Sequence, residues 1–354
     1  MKIIILDYLF PKNHAPLYYK IINYLTNVGD VKVIARNGYY SKHKNDWKDV
    51  ELEEIRVDMD GRNMIIRKLQ SIVSMLKTRK VVAGNINSAK VVFTFDTIAF
   101  AIGRLFLKLD NFFILHHKNI DELKNPVKKF FFKTYMNKVN HIVFEDYFKE
   151  YLVQKIGVDE KRIHVIPHPT FKSVTSNEED IYDCIGLSNS NDENFIKEII
   201  DDERKNGRLK MAKQQVILRS KKYQFDNGYL KVITGYLSKK DYDNYIKKCK
   251  GVFIPLPSTF EYRVSGVIYD AISNYKVVIA NNVPIIKSYE EKYPLLCIGV
   301  NNVEEFFAKV DELKYCITTK KDFDQFIKFH DKDIIIQKFK DAFKGGDINE
   351  SEKK

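Results

Sequence analysis

A chain of 354 residues is long for one core and predicts two domains, and with 44% hydrophobic and 13% aromatic residues it is a folded chain, not a disordered one. The formal charge of +12 is concentrated in residues 1–169, which carry 28 Lys and Arg against 18 Asp and Glu, whereas the rest carries 31 against 29. Such one-sided basicity implies an anionic partner: membrane lipid, nucleic acid or a phosphorylated substrate.

The opening MKIIILDYLF has an apolar run that breaks at Asp7, with no small-residue cleavage site after it. Residues 2–6 are therefore a first strand and not a signal peptide. After a loop over 11–16, Leu17, Ile21, Ile22 and Leu25 repeat at helical spacing, and Gly29 ends the helix. Residues 31–35 form a strand, 36–49 a polar, aromatic loop, and 50–57 another strand. From Gly61 to Phe95 there is no acidic residue, while Arg62, Arg67, Lys68, Lys77, Arg79, Lys80 and Lys90 all fall inside. Within that run Ile65, Ile66, Leu69, Ile72, Val73 and Leu76 keep helical spacing, so residues 62–77 are a basic amphipathic helix. A strand over 91–95 ends at Asp96, a helix covers 97–109, and a strand over 112–115 ends at His116 and His117. Asp96 and Arg104 interrupt this most apolar stretch, which excludes a membrane span. Asn125-Pro126 opens the helix PVKKFFFKTYMNKVN, mixing Phe130, Phe131 and Phe132 with Lys128, Lys129, Lys133 and Lys138. A strand over 142–144, a helix begun by Glu145 and Asp146, and a strand over 163–166 ending in PHP complete the first half.

FKSVTSNEED (171–180) lacks apolar periodicity and reads as a linker. The alternation then restarts: a strand over 184–187, the loop SNSND, a charged helix over 192–205, strands over 215–219 and 230–233, and a helix over 239–250. A strand over 252–254 leads into IPLPSTFEYRVSGVIYDAISNYKVVIA, where a Pro- and Ser-rich loop precedes a helix opening on Ser265 and Gly266. Asp270 lies one turn in, and a strand covers 277–280. A last helix includes 339–343 and frays into a polar tail. The predicted division is 1–169, 170–330, a helix over 331–345 packing back toward the first domain, and a disordered tail over 346–354. Repeated βα units predict an α/β protein: two Rossmann-like doubly wound domains facing across a cleft.

In doubly wound sheets ligands lie beyond the carboxyl ends of the strands. Asp7, Asp96, His116, His117 and His168 follow strands in the first half, and Arg219, Lys221, Gly235 and Ser258 in the second. A helix opened by Ser265 and Gly266 leaves backbone amides free at the positive end of its dipole, with Arg263 just before it. On these residues alone, a phosphate site and an ordinary βα unit with a solvated Asp270 are equally good readings. The chain has no G-x-S-x-G elbow, no phosphate loop ending in G-K-[ST], no H-E-x-x-H and no glycine in FPKNHAP after the first strand. Serine-triad hydrolysis, nucleotide hydrolysis and NAD chemistry are thereby disfavoured. Asp58 and Asp60 spell D-x-D before the basic helix and read as a turn. Adjacent His116 and His117 point oppositely on a strand, so no metal is expected. Cys184, Cys249, Cys297 and Cys316 form no C-x-x-C pair and read as free thiols of a reducing compartment.

The segment VITGYLSKKDYDNYIKKCKGVFIPLPS (232–258) resembles the second domain of nucleotide-sugar-dependent glycosyltransferases of the GT-B fold, near the large retaining family 4. IHVIPHPT (163–170) is similar to that family's domain-joining strand, and FEDYFKEYLVQKIGV (144–158) to the helix before it. The resemblance implies that Gly235, Tyr236 and Leu237 pass close to the nucleotide base and that Ser265 and Gly266 hold the distal phosphate. Asp270 would take the place of a ribose-binding Glu, and Arg219 and Lys221 would neutralise the leaving diphosphate. His116 matches a first-domain His that touches the transferred sugar, and Arg263 is counted with it as catalytic. The departure is that E-x-F-G-x-x-x-x-E becomes Y-R-V-S-G-V-I-Y-D, so the first Glu is replaced by Tyr262 or displaced to Glu261. The pattern R-x-S-G resembles divergent transferases building bacterial surface polysaccharides. The expected donor is a nucleotide diphosphate sugar, with no separate cofactor, and the acceptor a growing glycan or polyprenyl-diphosphate-linked sugar. A sugar-nucleotide epimerase and a non-catalytic partner of another transferase are the competing readings. Nucleic-acid binding has no supporting motif. The basic helices either dock a cytoplasmic, peripheral protein on the inner face of the plasma membrane, or are solvated faces whose Phe residues turn inward.

Overall fold

The computed structural model describes residues 1–8, 15–36, 38–40, 47, 49–57, 64–170, 180–235, 237–315 and 318–347. These residues form two compact units, one of Met1–Pro169 with His330–Lys354 and one of Thr170–Phe329.

In the first unit, β1 (Lys2–Asp7), α1 (Ala15–Leu25), β2 (Asp30–Arg36), β3 (Val50–Ile55), α2 (Met64–Ala83), β4 (Ala89–Thr94) and α3 (Thr97–Gly103) follow in order. β5 (Phe112–Leu115), α4 (Pro126–Lys133), β6 (Asn140–Val143), α5 (Asp146–Tyr151) and β7 (Ile163–Val165) complete it. The strands pair in the order β3-β2-β1-β4-β5-β6-β7, all parallel. Ile3, Ile4, Ile5 and Leu6 of the central β1 are fully buried, each worth about 1.5–3 kcal/mol, which is why a near-continuous aliphatic run marks this strand. The order reverses between β1 and β4, so right-handed crossovers put α1 on one side of the sheet and α2, α3 and α4 on the other.

The second unit repeats the plan with β8 (Tyr182–Gly186), α6 (Glu193–Asn206), α7 (Arg208–Ala212), β9 (Val216–Arg219), β10 (Phe225–Asp226), β11 (Leu230–Ile233), α8 (Lys239–Lys247) and β12 (Cys249–Ile254). α9 (Gly266–Ser273), β13 (Val277–Asn281), α10 (Pro284–Lys292), β14 (Cys297–Val300), α11 (Val303–Glu312) and α12 (Lys320–Phe329) follow. Its sheet runs β10-β11-β9-β8-β12-β13-β14, parallel except for the short β10. Here the order reverses between β8 and β12. The last helix, α13 (Lys332–Asp347), belongs to the first unit, where it packs on α1 and sets Phe343 edge-on against Phe113 with centroids 4.8 Å apart. His330 joins in through a 2.8 Å contact between its Nδ1 and the His168 carbonyl oxygen.

Several boundaries differ from the sequence reading. The helix expected over 97–109 stops at Gly103 and tightens into a 3-10 turn over Arg104–Phe106. Gly103 lies so close to α2 that a Cβ there would stand 2.2 Å from Met75 Sδ. The helix opened by Asn125 ends at Lys133, where Thr134 Oγ1 donates to the Phe131 carbonyl, and Met136–Lys138 form a 3-10 turn. The helix expected over 239–250 ends at Lys247, because Cys249 already pairs with Tyr182 as the first residue of β12. The two-residue β10 and the elements from α10 to α12 have no counterpart in that reading. The linker over 171–179, Asp58, Asp60, Arg62 and Cys316 lie outside the described residues; Cys184, Cys249 and Cys297 are buried free thiols. Among the described residues no helix is long and apolar enough to cross a membrane.

Candidate functional site

The second unit concentrates polar groups at the carboxyl ends of its strands, around the reversal between β8 and β12, where doubly wound sheets form their ligand crevice. The loops there are tied together. The amide of Asp192, after β8, donates to the Pro255 carbonyl, after β12, at 2.7 Å. Asn191 Nδ2 donates to the Ser188 carbonyl at 2.9 Å and to the Arg219 carbonyl at 2.6 Å, joining the end of β9 to the same loop. Asn281, closing β13, donates through Nδ2 to the Leu256 carbonyl at 2.5 Å. With their amide nitrogens spent on the backbone, Asn191 and Asn281 keep buried Oδ1 atoms that find no hydrogen-bond partner among the described residues. Asn282, which donates to Asn301 Oδ1, has the same feature. A buried acceptor without a donor costs about 1–3 kcal/mol, so three at one edge mark a place where a ligand's N–H or O–H groups are wanted.

The helix ends at this edge differ in a way that fits an anion. α6 is capped by the Asp192 carboxylate, which accepts from the amides of Asn194 and Phe195. α8 is capped by Ser238, whose Oγ accepts from the Asp241 amide. By contrast, Ser265 precedes α9 and Val283 precedes α10 without any side-chain cap, and neither first turn holds an acidic residue, but α10 opens on Pro284, which has no N–H to offer. The Ile268 amide donates to the Ser265 carbonyl at 3.0 Å, and the amides of Gly266 and Val267 remain for another acceptor at the positive end of the dipole. A Cβ placed on Gly266 would meet nothing within 4 Å, so the space before the helix is open. Arg263 is half-buried in the preceding loop, its guanidinium 4.4 Å from the centre of the Phe260 ring, an arrangement that limits its rotamers. Tyr262 and Glu261, the two residues that could stand for the family's first Glu, are half-buried in the same loop.

The other expected residues are distributed as follows. Arg219 closes β9, half-buried, and Lys221 is exposed in the turn beyond it. Glu193, the first residue of α6, holds that turn: its carboxylate accepts from the Ser220 hydroxyl and from the Lys221 amide at 3.0 Å. Gly235, exposed at φ 92°, makes the turn after β11 in a backbone region that side chains avoid, and Leu237 follows, half-buried. Tyr236 lies outside the described residues. Asp270, one turn into α9, faces α8, where the Tyr242 hydroxyl reaches its Oδ2 at 3.5 Å. Burial and the adjacent carboxylate hold the Tyr242 phenol well above its ordinary pKa, so it stays protonated as a donor. Arg219, Lys221, Gly235, Ser265 and Gly266 therefore share one edge, with Asp270 set back along α9.

His116 belongs to the first unit and is enclosed, 1% exposed, among Phe95, Phe132 and His141. Its Nε2 lies 2.9 Å from His141 Nδ1, and His141 Nε2 lies 2.7 Å from the Met136 carbonyl oxygen. His117, next along the chain, is half-buried beside Phe144. Among the described residues no three His, Cys, Asp or Glu side chains are grouped so as to hold a metal ion.

Sequence reasoning missed Asn191, Glu193, Tyr242, Asn281 and Asn282. A signal was present for the last two, which follow directly on the predicted strand over 277–280. Glu193 and Tyr242 act on partners 28 residues away in each case, and nothing local announces that.

No protein-family model matches the chain, and no curated protein matches it. Solved structures do. The sucrose-phosphate synthase of Thermosynechococcus elongatus superposes with a TM-score of 0.66 at 10% identity, over 97% of this chain and 98% of that one. A glycosyltransferase of Rickettsia africae gives 0.62 at 11% identity, covering 98% of each chain. The Anabaena protein HepE, solved with UDP and glucose, gives 0.61 at 12% identity, over 97% and 99%. With two seven-stranded doubly wound sheets among its described residues, the chain has the GT-B fold of the glycosyltransferases it resembles.

Proposed function

We propose that this protein transfers a sugar from a nucleoside diphosphate sugar to a growing glycan or lipid-linked acceptor, as in bacterial surface polysaccharide synthesis. The observation that carries this reading is the uncapped start of α9 at the sheet reversal, opening on Ser265 and Gly266 beside Arg263. An anion-seeking helix end with a nearby guanidinium suits a diphosphate, and neighbouring orphan acceptors suit the hydroxyl and N–H groups of a sugar and a base.

The chemical difficulty of the reaction is charge building up on the departing diphosphate. In this reading Arg263, Arg219 and Lys221 stabilise that charge together with the α9 amides, fixed donors that need no rearrangement as the bond breaks. These cations serve in place of an obligatory metal. Asp270 accepts from the ribose hydroxyls with Tyr242 holding its other side, and Gly235 to Leu237 border the base. A peripheral position at an anionic membrane brings the enzyme to its lipid-linked acceptor. Thermal shift with a panel of nucleoside diphosphate sugars identifies the donor, and transfer is then assayed with Arg263→Ala. The expected loss is about 10²–10³-fold in kcat, the scale of removing one transition-state charge partner. Undiminished transfer in that variant sinks the site, and donor turnover without an acceptor points to an epimerase instead.

A further inference from the structure

α2 turns the wrong side outward. Its inner seam is Ser71, Ser74, Met75, Thr78 and Val82, all buried, with Ser74 Oγ donating to the Gln70 carbonyl and Thr78 Oγ1 to the Met75 carbonyl. Its outer side carries Ile65, Ile66, Leu69, Val73 and Leu76, with Ile65 68% and Leu69 56% exposed. A helix packed on a core normally shows the reverse, polar residues outward. Contact with α3 accounts for Met75, whose Sδ fills the space a Cβ on Gly103 would take. It does not explain five aliphatic side chains left in water.

The apolar surface continues along the layer. α3 packs between α2 and α4. The turn at its end exposes Leu105 and Phe106, and α4 exposes Val127 and Phe130. Isolated surface aliphatics are ordinary, but a run on consecutive elements of one layer marks an interaction surface. The charges on it have one sign. α2 holds Arg67, Lys68, Lys77, Arg79 and Lys80 and no acidic residue; α4 holds Lys128, Lys129 and Lys133 and none either, although Lys128 pairs with Glu122 at 2.9 Å.

We infer that this layer, with the aliphatic ridge of α2 foremost, inserts shallowly into the interface of an anionic lipid bilayer. Aliphatic and aromatic side chains in the acyl boundary, with Lys and Arg at the headgroups, is the pattern of an in-plane amphipathic helix. A second copy of the chain fits the surface less well, because a two-fold contact would set the same cations against each other. The inference deepens the membrane part of the reading above: contact is by apolar insertion as well as by charge.

The test is co-sedimentation with vesicles of phosphatidylcholine alone or mixed with phosphatidylglycerol, with no donor or acceptor, so that it stands apart from the transferase reading. Binding is expected to the anionic vesicles, and Leu69→Asp with Val73→Asp should weaken it at least about tenfold. A Leu69→Trp variant should shift its emission to the blue on vesicle addition, above the constant signal of the single, buried Trp47. The inference is overturned if wild-type protein ignores anionic vesicles, if the double variant binds like wild type, or if the Leu69→Trp emission does not move. It is overturned equally if the double variant dissociates a dimer while vesicle binding is unchanged.

Discussion

Acid should destabilise the first unit through a pair of histidines that fold without charge. The tautomers follow from the contacts: the Met136 carbonyl only accepts, so His141 Nε2 carries the proton and its Nδ1 accepts from His116 Nε2–H. His116 Nδ1 is then the bare end of the chain, buried without a partner. An extra proton has nowhere to go that is solvated or paired. Burial lowers the His141 pKa to about 4, and burial with the neighbouring His141 pushes His116 well below its ordinary value. Unfolded, either ring titrates near 6.5. The folded pKa being the lower one, the unfolded chain binds more protons as pH falls. Stability is thus complete above about pH 6.5 and drains away down to about pH 4. For His141 alone the loss is about 2 kcal/mol at pH 5 and at most about 3.4 kcal/mol below pH 4. The assay is urea unfolding followed by Trp47, which reports on this unit, stacked on Tyr19 and tilted against Tyr40. With a slope of about 2 kcal/mol per M, the wild-type midpoint should fall about 1 M further between pH 7 and pH 5 than that of His141→Gln. The comparison cancels groups common to both proteins. Equal falls would refute the neutral-pair argument.

Two further outcomes test the second unit. Asn281→Ala removes one hydrogen bond to Leu256 and one orphan buried acceptor, two effects that oppose each other, so thermal stability should change by less than about 1 kcal/mol. Donor affinity, measured by calorimetry, should nevertheless fall about tenfold; unaltered affinity would remove Asn281 from the site. Gly251→Val should destabilise by about 1–3 kcal/mol in chemical unfolding, because even a Cβ there stands 2.7 Å from Leu313 Cδ1 and 3.3 Å from the Val277 carbonyl oxygen. Wild-type stability in that variant would mean that β12 and Leu313 are not in close contact.

The alternation of aliphatic runs and helical spacings determined the class of fold, because strands buried on both faces must be apolar throughout and their crossover helices must be amphipathic. The carboxyl-end rule picked out Arg219, Lys221, Gly235 and Ser258 from residue type and position, and the small-residue helix opening separately picked out Ser265 and Gly266; the structure sets Arg219, Lys221, Gly235, Ser265 and Gly266 at one edge of one sheet. What local order could not decide was direction and partnership. His116 and His117 are indistinguishable as letters, yet only packing against Phe95, Phe132 and His141 makes the first an interior group. Glu193 reads as one more charge on a charged helix until the β9 turn folds onto it. The spacing of α2 identified its apolar stripe correctly but not which way the stripe faces, since a helix presents two sides and only its neighbours choose between them. There the neighbours put Ser71, Ser74 and Met75 inward, Met75 filling the space a Cβ on Gly103 would take, and leave Ile65 and Ile66 exposed.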